Sequence, residues 1–126
     1  MLLADDDDFV REALAEVLEA LGFEVVGQAE DGARCVELAA ELRPDVVLMD
    51  VRMPVMDGLD ATAMIRLADP AVQVVMLSVY DDPAFREEAT QVGALCYLVK
   101  EAGPQMLDAV VRSAASLSRQ LARSAS

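Results

Sequence analysis

The chain has 126 residues, 55% of them hydrophobic and 26% charged, which suits one soluble domain with one core rather than a disordered segment. Its net charge of −13, from 23 acids against 10 bases, repels phosphate backbones, so direct binding of nucleic acid is not expected. There is no histidine, which excludes histidine metal sites, Ser-His-Asp chemistry and any phosphohistidine made on this chain. No apolar stretch approaches the length of a membrane span, and Met1-Leu2-Leu3-Ala4 runs into four aspartates with no sign of a signal peptide. The two cysteines, Cys35 and Cys96, are far apart and read as reduced cytosolic thiols that pack like small apolar side chains.

In chain order, short apolar runs alternate with helix-period segments. Leu2 to Ala4 is the stub of a first strand. Asp7 or Asp8 can cap a helix with Phe9, Val10, Leu14, Val17, Leu18 and Leu21 near one face, ended by Gly22. Glu24 to Ala29 is a second strand. A helix from about Ala33 to Leu42 presents Val36, Leu38, Ala39 and Leu42, and Pro44 stops it. Val46 to Met49 is a third strand, buried on both faces. The loop Met53-Pro54-Val55-Met56-Asp57-Gly58 leads to a third helix from about Leu59 to Leu67, with Asp57 placed to cap it. Val72 to Leu77 is a fourth strand. A helix follows from Pro83 to about Val92, then Gly93, a fifth strand from Leu95 to Val99, and a last helix opened by Gly103-Pro104. That helix runs to Leu117 or beyond. The tail from Ser118 to Ser126 reads as a helix end or the start of a linker.

Five strands alternating with five helices predict an α/β fold, a doubly wound parallel sheet in the flavodoxin-like order 2-1-3-4-5. Ligands in such sheets bind outside the carboxyl ends of the strands. Those ends carry Asp5 and Asp6, Asp50, Ser78 and Lys100. Asp50 matters most, because a carboxylate at the end of a buried strand is costly unless it is paired or binds a metal. Three converging carboxylates resist joint ionisation, and a hard divalent cation removes the conflict. Magnesium (or manganese) fits better than the calcium of an EF-hand, whose alternating ligands, turn glycine and closing glutamate are missing. Metal, carboxylate, ammonium and hydroxyl together fit phosphoryl transfer, with Asp50 attacking phosphorus while Lys100 and Ser78 meet the charge on the transferred group.

Five motifs carry a family resemblance: Leu-Leu-Ala-Asp-Asp at 2–6, Asp-Val-Val-Leu-Met-Asp at 45–50, Met-Pro-Val-Met-Asp-Gly at 53–58, Val-Met-Leu-Ser at 75–78 and Tyr-Leu-Val-Lys at 97–100. In that order the chain resembles a receiver domain of a bacterial two-component response regulator. Val26-Gly27-Gln28-Ala29 and the run from Leu95 to Ala102 are similar to the NarL/FixJ-type branch. The resemblance implies a receiver over residues 1–117. It makes Asp50 the phosphoacceptor, Asp5 and Asp6 the acidic pair, Asp6 the more direct metal ligand, and the backbone carbonyl of Arg52 a further ligand. It makes Ser78 and Tyr97 a switch pair in which the tyrosine turns inward on phosphorylation, and Lys100 the family's lysine. Arg52 and Tyr80 occupy positions that resemble those setting the lifetime of the phosphoryl group. It implies a sensor histidine kinase as donor, a switching surface of the fourth helix, fifth strand and fifth helix that can pair two receivers, and a C-terminal DNA-binding domain beyond this segment.

Four departures stand out. The first strand is shorter than the family's, Asp7 and Asp8 stand where this branch often has His-Pro or similar, Val79 follows Ser78 where a smaller residue is common, and Glu101 follows Lys100 in place of the proline common in other branches. Rival readings are a phosphate-ester hydrolase of the haloacid dehalogenase type, a flavodoxin, and a receiver that serves only as an interaction module. The first lacks its second aspartate, since Arg52 stands there. The second lacks a first loop able to hold phosphate. The third is opposed by the complete set of acids, hydroxyl and lysine.

Overall fold

A computed structural model describes residues 1–124. The elements are β1 (Leu2–Ala4), α1 (Asp8–Ala20), β2 (Gly27–Ala29), α2 (Gly32–Leu42), β3 (Val46–Met49), α3 (Gly58–Ala68), β4 (Gln73–Ser78), α4 (Pro83–Gln91), β5 (Cys96–Val99) and α5 (Pro104–Ser124), with one 3-10 turn at Lys100–Ala102. All strand pairs are parallel and the order is β2-β1-β3-β4-β5, as the alternation predicts.

The strands alternate their side chains between two cores, as a pleated sheet covered on both faces must. Leu2, Ala4, Val47, Met49, Val74 and Met76 pack with Leu38 of α2, Ile65 of α3 and Ala89 of α4. Leu3, Val46, Leu48, Val75, Leu77 and Leu98 pack with Leu18 of α1 and with Leu107 and Val111 of α5. Aspartates start the helices. Asp7, Asp31, Asp57 and Asp82 each accept a backbone N–H from the first turn of α1, α2, α3 and α4, each cap stabilising by about 1 kcal/mol. Part of the acidic excess is therefore structural.

Some expectations shift. Phe9 does not join the apolar face of α1 and is 80% exposed. At 3.6 residues per turn, nine positions place it about 180° from Leu18, the buried centre of that face. Val17 is also partly exposed. β2 is half its expected length because it pairs only with the three residues of β1. α5 runs without a break to Ser124, and Ser118 is buried, so residues 118–124 belong to the helix; 125 and 126 lie outside the described residues. Among the described residues no helix is long and apolar enough to cross a membrane.

Candidate functional site

β1 and β3 are neighbours, with Ala4 opposite Met49, so the residues that follow them emerge side by side. The Asp5 amide donates to the Ala29 carbonyl and the Asp50 amide to the Ala4 carbonyl, which carries the sheet ladder right up to the acids. Carboxylate oxygens of Asp5, Asp6 and Asp50 all lie within 4.8 Å of one another. Their surroundings differ. Asp5 is 4% exposed, accepts the Asp7 amide at 2.9 Å and takes the Lys100 ammonium at 2.7 Å. Asp6 faces solvent, and Asp50 is half-buried between them.

Burial pushes the Asp50 carboxyl up from its ordinary value to about 6. Lys100 opposes that rise, Asp5 and Asp6 add to it by like-charge repulsion, and the Val51 amide opposes it again. An acid held this high is short of positive charge. The donors are hard oxygens. The one fully buried thiol, Cys35, is pushed up to about 12 by burial and then by Asp31, so it offers no soft ligand. The set suits magnesium or manganese rather than zinc or copper.

The loop after Asp50 is braced by two glycines. A Cβ on Gly58 would stand 1.9 Å from the Asp50 carbonyl oxygen, and one on Gly32 would stand 2.1 Å from that of Met56. No side chain fits in either place, which gives a physical reason for the Asp-Gly step in the motif. Between them Val55 holds a φ of 68° while 84% exposed, a left-handed conformation that a β-branched residue adopts only under strain. Arg11 of α1 ties the acidic loop to the sheet edge. It donates to the Asp5 carbonyl at 2.7 Å, to Gln28 at 3.1 Å and to Asp8 at 2.6 Å. Nothing in the local sequence around Arg11 announces this.

On the other side, Ser78 ends β4 opposite Val99 of β5, and Lys100 follows. The Ser78 Oγ accepts the Tyr80 amide at 3.1 Å, which leaves its own O–H proton available as a donor. Tyr97 is 7% exposed, and its hydroxyl donates to the Tyr80 carbonyl at 2.6 Å. The tyrosine thus lies inside the fold, with its hydroxyl held by the loop after β4. The Arg52 guanidinium lies 5.6 Å from the Tyr80 ring centre and 5.5 Å from that of Phe85, within cation–π range. Val79 faces solvent. Every residue singled out at a strand end therefore sits at one end of one sheet, but the pairings are specific: Lys100 meets Asp5, and Ser78 meets Tyr80.

The family model of the response regulator receiver domain matches residues 1–112. The chain belongs to the response regulator receiver domain family. Relatives of this receiver include the response regulator GacA of Pseudomonas aeruginosa, 41% identical over 113 residues, which are 89% of this chain and 53% of that protein. The transcriptional regulatory protein LiaR of Bacillus subtilis is 42% identical over 117 residues, 90% of this chain and 54% of that protein. Among solved structures, the signal receiver domain of NarL from Mycobacterium tuberculosis superposes with a TM-score of 0.86 at 35% identity, covering 91% of this chain and 94% of that one. CheY in a CheX–CheY–BeF3–Mg complex from Borrelia burgdorferi gives 0.83 at 27% identity, covering 89% and 85%. The receiver spans about half the length of the curated relatives it matches. Domains of this kind are regulators.

Proposed function

We propose that this receiver is a phosphoacceptor switch with Asp50 as its acceptor. The supporting observation is the convergence of three carboxylates within 4.8 Å on adjacent strand ends, with an ammonium and a hydroxyl on the next two. Asp50 is the acid whose proton is held to about 6, so it is mostly ionised at neutral pH and can act as a nucleophile. Its carboxylate oxygen attacks the phosphorus of a phosphohistidine. The phosphorus–nitrogen bond breaks, and the electron pair leaves with the imidazole, which takes a proton from water. The donor is a sensor histidine kinase, since this chain has no histidine of its own.

Magnesium or manganese would be held by Asp5, Asp6, Asp50 and the backbone carbonyl of Arg52, with Asp6 the more direct of the acidic pair, and would supply charge neutralisation at the phosphoryl oxygens. Lys100, paired with Asp5 at 2.7 Å, supplies a second positive charge. The Ser78 hydroxyl donates to a phosphoryl oxygen through the proton that Tyr80 leaves unused, and Tyr97 closes behind it. The switched surface is α4, β5 and α5, which can pair two receivers or engage an output domain, a DNA-binding domain by likeness to the transcriptional regulators among the relatives. A cytoplasmic location follows from a kinase donor of this kind.

The test is uptake from a small phosphodonor with magnesium, read by intact mass. The wild type gains one phosphoryl group, and Asp50→Ala gains none. Unchanged uptake by Asp50→Ala would overturn the assignment of the acceptor, and no uptake or magnesium binding by the wild type would leave a pure interaction module.

A further inference from the structure

Arg86 lies in the first turn of α4, away from the acids, yet it touches one residue of the switch pair at two points. Its guanidinium carbon is 4.9 Å from the centre of the Tyr97 ring. Its Nη1 donates to the Tyr97 carbonyl at 3.2 Å. Its Nε is paired with Asp81 at 2.8 Å, which fixes the plane of the guanidinium from the loop that enters α4. The ring so covered donates through its hydroxyl to Tyr80, and Tyr80 donates to Ser78. A chain of contacts therefore runs from Asp81 through Arg86, Tyr97 and Tyr80 to the hydroxyl beside the acceptor site.

We propose that Arg86 is a positioning residue for the switch. Its stacked guanidinium holds Tyr97 inward. This rests on the reading of Asp50 and Ser78 given above. The physical basis is the planar fork of arginine, which can lie flat on an aromatic face while its edge N–H groups reach a carbonyl and a carboxylate; a lysine ammonium cannot do all three. A ligand that binds only one arrangement of a protein binds more weakly in proportion as that arrangement is less populated. Arg86 keeps the inward arrangement populated, so it raises affinity for a phosphoryl group without touching one.

The experiment titrates beryllofluoride with magnesium into wild type, Arg86→Met and Arg86→Lys, and follows fluorine NMR of fluorotyrosine-labelled protein. The chain has two tyrosines, and Tyr80→Phe assigns the signal of Tyr97. Without beryllofluoride, the Tyr97 signal of Arg86→Met should move toward that of an exposed tyrosine. At saturation it should return to the wild-type saturated position. The apparent affinity should fall roughly two- to fivefold, with Arg86→Lys between. Arg86 stands on the solvent side of α4, so Arg86→Met should keep its cooperative urea transition; if it does not, Arg86→Lys carries the test. A wild-type Tyr97 signal in Arg86→Met, or weaker binding with that signal unmoved, would overturn the proposal. A wild type that binds no beryllofluoride would instead overturn the reading of Asp50, while the Tyr97 signal would still report whether Arg86 holds the ring.

Discussion

The two halves of the strand-end face are built on opposite electrostatic terms. Beside β1 and β3, three acids crowd together and share one ammonium, with Asp50 pushed up by burial and by its acidic neighbours. Beside β4 and β5, every polar group described has a partner: Ser78 with Tyr80, Tyr80 with Tyr97, and Tyr97 with Arg86. The first half is short of positive charge and is ready to bind. The second is largely paired, with the Ser78 hydroxyl proton left over, and holds a shape. Lys100 belongs to both, since it leaves β5 and pairs across 95 residues with Asp5. That pair is the direct link between the two halves.

The most severe way to break the acidic half is Gly58→Ala. A methyl group 1.9 Å from the Asp50 carbonyl must displace backbone rather than a flexible side chain. The expected loss is more than about 3 kcal/mol in urea unfolding, the upper range for single substitutions, with magnesium binding lost as well. Lys100→Ala should follow closely. It strands the Asp5 carboxylate, whose side chain is almost fully buried, and removal of one partner from a buried pair costs about 3 kcal/mol or more. Magnesium should restore part of this loss, and a magnesium-independent midpoint would separate Asp5 from the metal site.

Asp50→Asn works in the other direction. Without metal at pH 7, it should stabilise the domain by roughly 1–2 kcal/mol, the full two-unit shift being discounted for the half-exposed position. The pH dependence has a definite sign. Folding raises the Asp50 pKa to about 6 from 3.8, so between those values the folded state holds a proton that the unfolded state has lost. Through this group, stability without metal falls as pH rises from about 4 to 6 and is level above. Asp50→Asn should remove that slope, and so should saturating magnesium. Smallest, Val55→Gly should relieve the left-handed strain in the loop and stabilise by about 1 kcal/mol, read from the same urea transitions.

How much of this could be read from the sequence depends on how far apart the interacting residues lie. The elements, the sheet order and the set of strand-end residues follow from the apolar alternation, because burial is imprinted along each element. The Asp57 cap and the role of Pro44 are likewise local. Phe9 misleads because its apolar side chain suggests the buried face although it stands about 180° from Leu18 around α1, and the segment before β2 finds only Met1 beside it. The pairings were hidden altogether. Nothing near Arg86 points to Tyr97, nor near Lys100 to Asp5 rather than Asp50, and the Asp31 and Asp82 caps were masked among so many other acids. Contacts between elements are fixed by packing, which leaves little periodic trace.

The shortness of β2 has a further consequence. It is one border of the sheet and only three residues long, with Gln28 exposed, Gly27 half-buried and Ala29 fully buried. Three residues make a poor template on which another chain could add a strand. Together with a net charge of −13, so brief a border should discourage edge-to-edge aggregation.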